Sequence, residues 1–100
     1  MRYDKRVLFY SVADEVYDPN TGKLTEEETF LGERLCAAYD LSMEDRLTLL
    51  GNLGIRGLMI HHRGPTIHAD RLTYKGKHYW VKAIRQLRNK STYLVEEAQR

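Results

Sequence analysis

The sequence predicts a mainly β protein: a small antiparallel β-barrel or sandwich of five to six strands, with one short helix and long loops. Three observations predict it. Runs rich in β-branched and aromatic residues have strand length, turn dipeptides separate them, and one hundred residues suit a single domain (1–100) whose core every element must share.

Residues 5 to 13, KRVLFYSVA, open the chain as a strand, with Leu8, Tyr10 and Val12 on one face and Val7, Phe9 and Ser11 on the other. The cluster Asp18-Pro19-Asn20-Thr21-Gly22 follows. Pro fixes φ, while Asn and Gly accept φ > 0, so residues 16 to 29 read as a protruding loop or hairpin tip. From Thr29 to Asp40, Phe30, Leu35, Cys36 and Ala38 fit neither period cleanly, and length and context favour a strand. In LSMEDRLTLLG, Ser42 with Asp45 forms a capping-box pattern, Met43, Leu47 and Leu50 repeat at helical spacing, and Gly51 stands where a helix stops; this is the short helix.

Leu58 to His62 then reads as a strand ended by Arg63-Gly64-Pro65. A short strand at residues 71 to 74 meets the tight-turn pair Lys75-Gly76 and leads into the longest strand, residues 78 to 87. The turn RNKS sends the chain back through TYLVEEA, so three successive antiparallel strands form a meander. In the longest strand, alternation groups Tyr79, Val81 and Ala83 on one face and Trp80, Lys82, Ile84 and Gln86 on the other. Closing such a sheet hides its edges.

The net charge of +2 conceals a division along the chain. Residues 1–50 hold six basic and eleven acidic residues, net −5, and residues 51–100 hold ten basic and three acidic, net +7. Such asymmetry bears on partners and steering, and suits a surface that meets an oppositely charged neighbour or a polyanion. No apolar run approaches the roughly 18–20 residues that span a bilayer, and the N-terminus lacks the apolar stretch and cleavage site of a secretory leader. A membrane partner is therefore not expected.

Candidate chemistry is sparse. His61, His62, His68 and Asp70 are metal-ligand types within ten residues, but neighbours on a strand point to opposite faces, and no Cys or HxxxH spacing assists them. Cys36 has no second cysteine to pair with and no evident base, and reads as a small buried hydrophobe. GxSxG, GxxxxGK[ST] and GxGxxG patterns are absent, and GNLGIRG follows a helix and precedes a strand, the reverse of a dinucleotide site. No catalytic set, metal or cofactor is expected. The stretch RLTYKGKHYWVKAIRQLRNK carries seven Lys or Arg, no acid, and interleaved Tyr74, Tyr79 and Trp80, the composition of a single-strand nucleic-acid surface. Strand alternation instead directs part of the aromatic set to the core and leaves Lys75, Lys77, Lys82, Arg85, Arg88 and Lys90 as candidate contacts to an acidic partner or to DNA.

Three stretches, MRYDKRVLFYSVADEVYDPNTGKL, MEDRLTLLGNLGIRGLMIHHRGP and ADRLTYKGKHYWVKAIRQLRNKSTYLVEEA, resemble the minor capsid and head-tail joining proteins of tailed phages, the head-closure or stopper components beneath the portal. The resemblance spans about residues 1–98 and is most specific in the strand, small y-x-G-k-x-Y hairpin, long strand and final strand ending in acid. It implies a non-enzymatic virion protein of the neck, assembled in the host cytoplasm. Copies would form a homo-oligomeric ring that extends the portal-adaptor channel, helps to retain packaged DNA without reading its sequence, and docks the tail. The turn-rich insertion, with Asp18, Asn20 and Lys23, and the glycine-rich segment 50–57, with Asn52 and Arg56, are then candidate contact loops. A tail terminator, and a small basic β-barrel that binds nucleic acid, are the alternatives.

Overall fold

A computed structural model describes residues 2–20, 22–51 and 54–98, with the side chains of 14–18 and 23–26 outside that description. Among these residues six strands run antiparallel: β1 (Lys5–Asp18), β2 (Lys23–Asp40), β3 (Gly57–Arg63), β4 (Arg71–Tyr74), β5 (Lys77–Leu87) and β6 (Lys90–Glu97). They close into a barrel in the order β1-β2-β3-β6-β5-β4, with β4 returning to β1. The predicted meander is β4-β5-β6.

Alternation fills the interior. Val7 and Phe9 of β1, Cys36 of β2, Leu58 and Ile60 of β3, Leu72 of β4, Tyr79 of β5 and Tyr93 and Val95 of β6 point inward and are buried together. At this strand number the lumen is only wide enough for side chains. Phe9 meets Tyr93 edge-on at 5.4 Å between ring centroids, an arrangement that suits the ring quadrupoles.

Residues 64–70 cross one end of the barrel as a plug. Tyr93 Oη accepts a hydrogen bond from Ile67 N (2.9 Å) and donates to Ile67 O (3.1 Å), and the Thr66 and Ser91 hydroxyls pair at 2.8 Å. Asp70 then stitches β1 to β5. Its amide donates to Tyr10 O (2.9 Å), its carboxylate accepts from Val12 N (2.9 Å), and its carbonyl accepts from Val81 N (3.0 Å). A plug made of irregular backbone is tolerated here because these groups have partners.

The structure refines two expectations and corrects a third. Of the two readings of the insertion at 16–29, loop or hairpin tip, the structure shows the hairpin: β1 and β2 stay paired out to Asp18 and Lys23 and form a two-stranded ribbon beyond the barrel. The ribbon leaves the barrel at a bulge, where Phe9 pairs with Gly32 and Tyr10 with Phe30, and Gly32 has φ 150°, a region that glycine tolerates best. Second, the helix is one α-turn, Met43–Asp45, continued by a π-turn, Arg46–Leu50. Ser42 Oγ caps the Asp45 amide at 3.1 Å, as its sequence pattern predicts. This segment packs so close to β3 that a Cβ on Gly57 would meet Leu41 Cδ1 at 2.6 Å and Leu50 Cδ1 at 2.7 Å.

The correction concerns the faces of β5. A bulge at Lys82 shifts the β5 register, so Val81 pairs with Val95 while Ala83 pairs with Leu94 and Ile84 with Tyr93. Beyond that point Ile84 and Gln86 pair with the inward Tyr93 and Ser91 yet are themselves exposed, whereas Ala83, Arg85 and Leu87 turn outward.

Replacing Tyr93 with Phe keeps the ring and strands the buried Ile67 peptide groups. Chemical denaturation is expected to show a loss of about 1–3 kcal/mol at unchanged m-value. An unaltered midpoint would mean that the plug is held by packing alone.

Candidate interaction surface

The β5 strand divides the basic residues that the sequence brings together. Lys77 starts it and Leu87 ends it, which at about 3.3 Å per residue separates the two groups by roughly 30 Å. At one barrel mouth, Lys75 and Lys77 meet Arg56 and Lys5 around a recess of about 330 Å³ that also contains Asp40, Tyr74 and Tyr79. The turn sets this geometry: Lys75 (φ 52°) and Gly76 (φ 74°) both take positive φ, the type I′ hairpin that matches strand twist. Lys75 Nζ then lies 5.4 Å from the centre of the Tyr74 ring. Burial, followed by the nearby Glu97 and Asp40 carboxylates, holds the Tyr79 phenol above its ordinary range.

Ion pairs at this mouth are open to water. Lys77 lies 3.9 Å from Glu97 and Lys5 3.8 Å from Asp4, with both lysines about half exposed. Pairs of this kind contribute about 0–1 kcal/mol each, so they leave the cations free to exchange partners. Lys5 and Asp40 belong to this mouth although no sequence signal singles them out, because they reach it through β1 and β2 registers.

At the far end, Lys90 pairs in register with Arg63, and Arg85 and Arg88 are exposed beside them. Lys82 reaches back to Glu96 at 3.4 Å. Arg71 lies on neither surface, since it bridges Glu28 (3.3 Å) and the Trp80 ring (5.6 Å). Of the candidate loop contacts, Arg56 and Asn20 are exposed, Asn52 lies outside the described residues, and the side chains of Asp18 and Lys23 do too.

Between the two ends the outer face of β3, β6 and β5 is apolar. Met59, His61, Thr92, Leu94, Ala83 and Leu87 line a shallow groove of about 380 Å³ with Arg85 at its edge. Periodicity missed this groove because the Lys82 bulge assigns Ala83 and Leu87 to the outside.

The histidines do not converge. His61 faces outward, its Nδ1 3.2 Å from Thr92 Oγ1 and its ring edge-on to Tyr39, while His62 points inward, buried against Phe9, and His68 is exposed. Among the described residues no group of three or more His, Cys, Asp or Glu is placed to hold a metal ion. Cys36 is fully buried, and burial pushes its thiol up to about 12, far from thiolate formation at neutral pH. No helix of the described residues is long and apolar enough to cross a membrane.

No protein-family model, curated protein or solved structure matches the chain.

His62 makes acid a destabilising condition. Burial, and then the Arg34 charge, lower its pKa in the folded chain, and its buried Nδ1 has no hydrogen-bond partner. The unfolded chain, with a pKa near 6.5, therefore takes up the proton first, and stability falls as pH drops below about 6.5, levelling only below the folded pKa. Urea midpoints at pH 7.5 and 5.5 are expected to separate less in His62→Phe than in the wild type, and equal separations would assign the acid sensitivity elsewhere.

Proposed function

We propose that this chain is a structural, non-enzymatic subunit of the neck of a tailed-phage virion, of the head-completion or stopper type. Its copies form a ring that extends the portal-adaptor channel, helps to hold packaged DNA and offers a docking face to the tail. One observation carries the reading: the stretch with the most specific resemblance to head-tail joining proteins, from Arg71 through Glu97, is a contiguous meander, with Tyr74, Gly76, Lys77 and Tyr79 at its first hairpin. The two-stranded ribbon and the two cationic ends also suit a part that touches neighbours on several sides.

Within this reading Lys5, Arg56, Lys75 and Lys77 at one mouth, and Arg63, Arg85, Arg88 and Lys90 at the other, serve as docking or channel-lining charges. Lining a DNA passage needs mobile, sequence-independent charge contacts, which exposed Lys and Arg provide. The open outer surface of the basic hairpin carries no row of stacked aromatics of the kind that single-strand binders use, since Tyr79 is buried and Trp80 lies beneath Arg71.

The deciding experiment is electron microscopy of lysates in which this gene alone is disabled in the phage that carries it. Finished tails lying separate from heads that have lost their DNA are expected, and added protein should restore joining. Intact infectious particles would overturn the proposal. In that event the basic ends are to be tested as a nucleic-acid surface through the salt dependence of binding, which for a phosphate binder falls by orders of magnitude between about 50 and 200 mM.

A further inference from the structure

Among the described residues, two strand edges of this barrel have no strand beside them, and they are complementary. On β5, Val81 N is the last outer-edge amide to be satisfied, by Asp70 O, because β4 starts at Arg71 opposite Trp80. From Lys82 to the end of β5 no strand pairs with that edge among the described residues. Beside it lies the apolar groove of Met59, Ala83, Leu87 and Leu94, with Leu87 51% exposed. Arg85 lines it, Arg88 and Lys90 follow at the end of β5 and the start of β6, and none of the three has an acid within ion-pair distance among the described residues.

The second edge is on β2. This strand pairs with β3 only from Cys36 to Asp40, so among the described residues, residues 27–35 have β1 on one side and no strand on the other. They carry Phe30 and Leu35, each 56% exposed, and Leu31, together with Glu27, Glu28 and Glu33. A two-stranded ribbon is marginal by itself, and native proteins normally cover or blunt such edges.

Within one molecule these edges cannot join. In the barrel order β2 borders only β1 and β3, and β5 borders only β6 and β4. We infer that the occupant of the β5 edge is a second copy of this chain, whose β2 residues 27–35 add as a strand to residues 82–87. Main-chain hydrogen bonds extend the sheet, apolar side chains of the ribbon enter the groove, and Glu27 and Glu33 face Arg85 and Arg88, while Glu28 stays with Arg71. The β1 edge suits the site less, since its Val12 amide is already held by Asp70.

Donor and acceptor surfaces differ, so the contact is heterologous and passes from copy to copy until it closes as a ring or continues as a filament. It supplies the subunit interface of the ring proposed above and rests on that reading only for its biological setting. The basic residues near the end of β5 then meet a neighbouring copy, whereas those at the Lys75 mouth remain available to other partners.

The test uses the full chain in sedimentation across rising concentration, with two charge-reversed variants. Arg85→Glu/Arg88→Glu and Glu27→Arg/Glu33→Arg should each unfold thermally as a monomer close to the wild type, yet self-associate at least about tenfold more weakly. An equimolar mixture should recover wild-type association, because every ribbon then meets an edge of opposite charge. A wild type that stays monomeric would assign the edge to a different protein and overturn the inference, as would variants that associate normally or a mixture that fails to recover. Association of the expected kind in a protein whose loss leaves head-tail joining intact would retain this interface and refute the connector role. Failed joining with unaltered variant association would do the reverse.

Discussion

The four residues of β4 set the size of this barrel. Closure requires every strand to be bordered on both sides, and β4 bridges β1 and β5 only over Leu8, Phe9 and Tyr10 and over Trp80, Tyr79, His78 and Lys77. Wherever its longer neighbours run past it, they leave the barrel. The ribbon formed by β1 and β2, the open edge of β5 and the need for a plug all follow from that mismatch in length. The plug is held by Tyr93 inside and Asp70 at the rim, two side chains that satisfy backbone groups a regular strand would have paired.

A barrel of this size has little interior to spend on specificity, and its character lies outside. Tyr93, Phe9, Ile60 and Val95 fill the centre. The outer surface is differentiated instead, with a cationic recess at one mouth, a second cationic group at the other, and an apolar groove between them. Exposed ion pairs hold these cations only weakly. Such a layout favours contacts made over several faces at once, which is the property that the proposed neck subunit requires.

Bulges decide which residues such faces display. At Lys82 a single extra residue moves Ala83 and Leu87 from the side that strict alternation assigns them to the outside, creating an apolar groove beside Arg85. At Gly32 another directs the ribbon away from the sheet. Both act on one strand and alter what a neighbour would meet.

By itself the sequence determined the β class, the meander with its Lys75-Gly76 turn, the Ser42 cap, the burial of Cys36 and the opposed faces of His61 and His62. These depend on local rules: strand alternation, turn chemistry and capping act over a few residues. Only the tertiary structure decided for the hairpin over the loop at 16–29, and that Lys5 and Asp40 join Lys75 at the mouth and Arg85 lies far from Lys77. Register between distant strands and the positions of bulges depend on how the whole sheet closes, and no local pattern along the chain encodes that closure.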